Sequence, residues 1–148
     1  MLCGSIFVNS FLFKKMKTRK LIITIVLLNL LVTIGFTQTQ TIPPVIINAL
    51  KVGNAAELAK NFNTEVELVI LETEEVYSKA QSEIILKDFF AKNKPNDFKI
   101  LHQGGKEDSK YGIGNLSTSN NVFRVYFLLK MKNEKLLIHQ LRIEDNDE

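Results

Sequence analysis

From Phe98 to Glu144 apolar and polar residues alternate in four successive segments, and this pattern constrains the fold more than any other feature of the sequence. The segments are Phe98 to Gln103, Tyr111 to Thr118, Val122 to Met131 and Leu136 to Glu144. A period of two sends successive side chains to opposite faces of a strand, so each segment reads as a strand with one buried face. Gly104-Gly105, Asn120-Asn121 and Asn133-Glu134 separate them, and such pairs tolerate the positive φ that tight hairpins need. The expectation is an antiparallel meander whose apolar face must be covered by what precedes residue 98.

That preceding stretch reads mainly as helix. Pro43-Pro44 can open a helix, because its first turn needs no amide donors. Val45, Ile46, Ala49 and Leu50 then recur at helical spacing up to Gly53, a C-terminal stop. Asn54 is a natural N-cap for a second short helix with Leu58, Ala59 and Phe62 on one face. Glu65 to Leu71 alternates as a strand, with Val66, Leu68 and Ile70 inward, and Glu72 to Glu75 reads as an acidic turn that ends it. Ser78-Lys79-Ala80-Gln81 fits a capping box and opens a longer helix carrying Ile84, Ile85, Phe89 and Phe90, with Pro95 beyond its end. The order of helix, helix, strand, helix and four strands implies an α+β domain with helices packed on one face of a curved antiparallel sheet.

Charge is divided along the chain. Lys14, Lys15, Lys17, Arg19 and Lys20 precede an apolar run, Leu21 to Phe36, and every Asp and Glu follows it. Removing those five from nineteen basic residues leaves fourteen against sixteen acidic ones, so the formal charge of +3 does not describe the folded domain. A net acidic domain argues against a nucleic-acid partner, which requires a concentrated basic surface. The basic stretch, the apolar run and small residues at Gly35 and Thr37 follow signal-peptide grammar. Sixteen residues of helix span roughly 24 Å, short of a bilayer core of about 30 Å, and Asn29 interrupts the run.

The favoured reading is therefore a signal peptide over residues 1–37, with translation starting at Met16, and a single domain over 38–148. An uncleaved anchor and a buried core helix are the alternatives. The implied compartment is periplasmic or extracellular, with membrane contact only through the export signal. The one cysteine, Cys3, lies upstream of the apolar run, so the domain has no disulfide or thiolate metal site.

Gly53-Asn54-Ala55-Ala56-Glu57-Leu58-Ala59-Lys60-Asn61-Phe62, followed by a strand, a helix and a long meander, resembles the nuclear transport factor 2-like cone, also called cystatin-like. More closely, Val76-Tyr77-Ser78-Lys79-Ala80-Gln81, Leu86-Lys87-Asp88-Phe89-Phe90, Phe123-Arg124-Val125-Tyr126-Phe127 and Gln140-Leu141-Arg142-Ile143 resemble an uncharacterised family of small exported Gram-negative bacterial proteins. The resemblance covers Ile42 to Glu144. It implies a bent sheet wrapped around helices to leave a conical pocket, with the outer face often used for dimerisation. It selects no function, because such folds host isomerases, dehydratases and ligand-binding domains alike.

Alternation over the last two strands sorts Phe123, Val125, Phe127, Leu129 and Met131 with Leu137, His139, Leu141 and Ile143 on one face. Arg124, Tyr126, Leu128 and Lys130 fall with Leu136, Ile138, Gln140 and Arg142 on the other. A pocket lined by Tyr77, Phe89, Phe123, Phe127, His139 and Leu141 is the corresponding expectation. His139 in an apolar row could be a general base if Asp88 or Tyr77 points at it, but a core or rim histidine bonded to backbone is the favoured reading. His102, beside Gly104-Gly105, is a weaker candidate still. Arg124, Tyr126, Leu128, Ile138, Gln140 and Arg142 form a mixed patch suited to a homodimer interface, since Tyr and Arg are favoured at interface cores.

No metal-ligand spacing, phosphate-cradling loop or cofactor motif is present in the sequence, and the acidic runs Glu72 to Glu75 and Glu144 to Glu148 lack EF-hand spacing. The function this supports is a non-catalytic exported binding module for a small apolar ligand or a protein partner. The alternatives are a small isomerase or hydratase using His139 and a homodimeric assembly protein.

Overall fold

A computed structural model describes residues 41–146. The proposed signal peptide, Met16, Cys3 and the last two residues lie outside them.

Two short helices come first. Helix α1, Pro44–Val52, starts without a side-chain cap but with Pro44 in its first turn, and buries Ile46, Ala49 and Leu50. Gly53 ends it at φ 67°, ψ 33°, a left-handed conformation that glycine adopts without Cβ strain. The side chain of Asn54 then accepts from the Glu57 N–H at 3.0 Å and opens α2, Ala55–Lys60.

Strand β1, Phe62–Ile70, turns back at Leu71 and Glu72 into β2, Thr73–Ser78. The expected acidic turn is thus a hairpin whose second strand is itself acidic and exposed, which leaves no inward apolar period to announce it. Helix α3, Lys79–Lys92, has the capping box: the Ser78 N–H donates to Gln81 Oε1 at 3.1 Å, and the Gln81 N–H donates to Ser78 Oγ at 3.4 Å. Ser82, Leu86, Phe89 and Phe90 form its buried face at i, i+4, i+7 and i+8, whereas Ile84 is 68% exposed. Leu86, not Ile84, is the anchor, one helical turn from both Ser82 and Phe90.

The meander follows as β3 Pro95–Gly105, β4 Ser109–Thr118, β5 Val122–Lys132 and β6 Lys135–Asp145. Asn133 and Glu134 both take positive φ, 49° and 62°, in the last hairpin. The six strands form one sheet in the order β2-β1-β6-β5-β4-β3. Every pair is antiparallel except β1 and β6, which run parallel, with Leu68 opposite Leu141 and Ile70 opposite Ile143. The parallel pair joins the β1–β2 hairpin to the antiparallel meander. It arises because α3 carries the chain to the far edge and the meander returns strand by strand until β6 reaches β1.

Helices cover one face of the curved sheet, as the α+β reading requires. Ile46, Leu50, Leu58, Val66, Leu68, Leu86, Phe89, Phe123, Phe127, Leu141 and Ile143 belong to one continuous core. Gly112 sits over the Phe127 ring, which would lie 2.4 Å from a Cβ added there. Only a residue without a side chain lets that ring reach the sheet.

Candidate binding surface

The face opposite the helices follows from the register. One row across all six strands reads His102, Ile113, Tyr126, Arg142, Val69 and Glu74. The next reads Gly104, Tyr111, Leu128, Gln140, Glu67 and Val76. A third begins Lys99, Asn115, Arg124 and Glu144. Tyr111, Ile113, Tyr126, Leu128, Val69 and Val76 therefore make an apolar and aromatic band, and none of them belongs to the helix-covered core.

Polar groups are fixed within the band. The Arg142 guanidinium donates to Glu144 at 3.0 Å and lies 3.7 Å from Glu74, joining β6 to β2 across β1. The Glu144 hydrogen bond holds its pKa above the usual arginine value. Gln140 donates to the Glu67 carboxylate across the parallel pair. Charge is segregated across this face: Lys99, Arg124 and Lys130 stand on β3 to β5, and Glu65, Glu67 and Glu74 on β1 and β2.

Of the expected patch, Arg124, Tyr126, Leu128, Gln140 and Arg142 share this face. Ile138 does not. It is fully buried opposite Leu129, because a bulge on β6 shifts the register between Leu128 and Leu129. The extra residue is His139, and strict alternation over β6 fails at that point. Sequence reasoning missed the contributions of β1 and β2 to the face, and it did not use Tyr111 and Ile113, whose alternation with Gly112 and Gly114 could have placed them.

The bulge also removes His139 from the apolar row where alternation put it. Its Nε2 is buried without a hydrogen-bond partner. Burial, with Lys130 and Lys132 nearby, lowers its pKa, and no carboxylate enters that balance. Asp88 is held by Lys92 at 2.7 Å, and the Glu75 carboxylate pushes the Tyr77 phenol up, so both are engaged elsewhere. His102 is exposed on the edge strand β3.

The remaining expected pocket residues are core. Phe89 and Phe123 meet edge to face at 5.2 Å, and Phe127 and Leu141 are fully buried. Tyr77 packs half-buried against the same core. Two open clefts, of about 550 and 350 Å³, lie elsewhere and are lined by none of these six residues. Of the residues expected to line a conical pocket, Phe89, Phe123, Phe127 and Leu141 are thus buried side chains of the core between sheet and helices.

Comparison with known proteins places the fold. Residues 44–144 match a family described as a domain of unknown function, DUF4783. A crystal structure of a DUF4783 protein from Bacteroides ovatus is 38% identical, covers 74% of this chain and 99% of that one, and superposes with a TM-score of 0.70. A second, from Bacteroides uniformis, is 35% identical, covers 73% and 100%, and also gives 0.70. A de novo designed protein with a curved β-sheet shares the fold alone, at 10% identity, 68% and 93% coverage and a TM-score of 0.59. A design of the NTF2 type with a long sheet likewise shares only the fold, at 12% identity, 68% and 94% coverage and a TM-score of 0.56. No curated protein matches. By the family match and these close relatives, the chain belongs to the DUF4783 family, built on an NTF2-like curved sheet.

Proposed function

We propose that the protein is a non-catalytic, exported binding module that works through the outer sheet face, with a second copy of the chain as its partner. The carrying observation is the band of Tyr111, Ile113, Tyr126 and Leu128 flanked by segregated charge. Aromatic and aliphatic residues with a central arginine are the composition of interface cores. A two-fold axis along the strands would lay the acidic β1–β2 side of one copy over the basic β3–β5 side of the other, so the surface complements itself.

Tyr126→Glu tests this reading, because it puts a charge in the centre of the band without touching the core. Native mass spectrometry of the wild-type protein should show a dimer that the variant converts to monomer. A wild-type monomer at every concentration, or an unchanged dimer in the variant, overturns the reading.

A further inference from the structure

The larger cleft has a chemistry of its own. It lies where β1 begins, where α3 begins and where the β5–β6 hairpin turns, and none of its lining residues belongs to the rows described above. Its volume of about 550 Å³ is within the range of small-molecule sites. Lys79, Lys132 and Lys135 line it together with the apolar Ala80 and Leu137 and the edge of the core residue Phe62, and no Asp or Glu does.

Two of the lysines are held at the walls by neutral groups. Lys132 donates to Asn63 Oδ1 at 2.9 Å, and Lys79 to the Lys60 carbonyl at 3.2 Å. No carboxylate lies within ion-pair distance of any of the three among the described residues, whereas Lys51, Lys60 and Lys92 pair with Asp97, Glu57 and Asp88. Three unneutralised ammonium groups around one cleft run against the composition of a domain in which acids outnumber bases. The start of α3 adds to the positive potential, since its first turn contains Lys79 and no acid, the reverse of what the helix dipole favours.

We propose that this cleft binds a small organic anion, with a phosphate or carboxylate head on Lys79, Lys132 and Lys135 and an apolar group against Ala80 and Leu137. Ammonium groups on flexible stems suit an oxyanion as point charges without fixing its geometry. The apolar wall makes an amphiphilic anion a better ligand than a bare one. This inference does not rest on the outer-face reading, since the two surfaces share no residue.

Hexyl phosphate, inorganic phosphate and hexanol, titrated separately into the 15N-labelled protein, test it. Hexyl phosphate is expected to shift the amides of Asn63, Lys79, Ala80 and Leu137 and to saturate at lower concentration than inorganic phosphate, with hexanol silent. Lys79→Gln with Lys132→Gln should weaken that binding about tenfold. Lys135→Glu, at a side chain with no hydrogen bond to lose, should abolish it while leaving the rest of the spectrum in place. Shifts spread evenly over surface lysines such as Lys106 and Lys110, or binding indifferent to Lys135→Glu, overturn the proposal. Equal affinity for inorganic and hexyl phosphate overturns the role of Ala80 and Leu137.

Discussion

Leu129 stands opposite Ile138 while its neighbour Leu128 stands opposite Gln140, so β6 carries one residue more than β5 across that step. The insertion turns Ile138 into the core and leaves Leu128 on the outer face. Ile138→Asp should therefore unfold the domain, because a fully buried carboxylate without a partner costs on the order of 4 kcal/mol or more. Leu128→Asp should stay within about 1 kcal/mol of wild type in a monomeric reference such as the Tyr126→Glu background. Urea denaturation of the pair checks this, and equal losses would mean that the register shift is misplaced.

His139 gives the bulge a pH signature. Its folded pKa is depressed, so the unfolded chain binds the proton more readily and stability falls as pH drops below the ordinary histidine range. Carboxylates such as Asp97, held down by Lys51, add an acid dependence of their own. The informative quantity is therefore the difference in melting temperature between wild type and His139→Gln. That difference should move against the wild type between pH 7.5 and pH 5, and a difference constant with pH would show that His139 titrates alike in both states.

Most of the fold was legible because its signals are local. Pro44, Gly53, Asn54 and the Ser78–Gln81 box mark helix ends through backbone groups a few residues away, and the meander repeats one period four times. What escaped depends on partners distant in sequence. β2 is recognisable only by its pairing with β1, and the inserted His139 only by the β5 residues it fails to meet. The candidate face was legible on β5 for the same reason that Ile138 was not: alternation holds along β5 and breaks on β6. The anionic-ligand cleft gathers residues from positions 62 to 137, and no spacing in the sequence announces it.

Gly112 and Phe127 are coupled by contact. Gly112→Ala should destabilise the domain by roughly 1–3 kcal/mol, since the new methyl meets both the Phe127 ring and Ile42. Phe127→Leu shortens the ring side and should make the alanine less costly in combination than the two single losses imply. A double-mutant cycle by chemical denaturation measures this, and strict additivity would refute the contact.

Ser78 serves a helix end and a strand end at once. Ser78→Ala should cost about 1 kcal/mol by removing the acceptor for the Gln81 N–H. Thermal unfolding followed by circular dichroism reads the loss, and Ser78→Asp, which can accept the same bond, should recover most of it. A helix indifferent to both changes would show that the box does not hold it.

The position of β6 has a temporal meaning. Of the six strands the last to be synthesised is an interior one, inserted between β1 and β5, and neither β1 nor β2 pairs with any other strand of the meander. Until residues 135–145 arrive, β1–β2 and β3–β5 are two ribbons with unpaired edges, and the helices have only half a surface to cover. The sheet is therefore completed only when its sixth strand arrives. Losing residues 135–145 would remove the seam of the sheet, not its fringe.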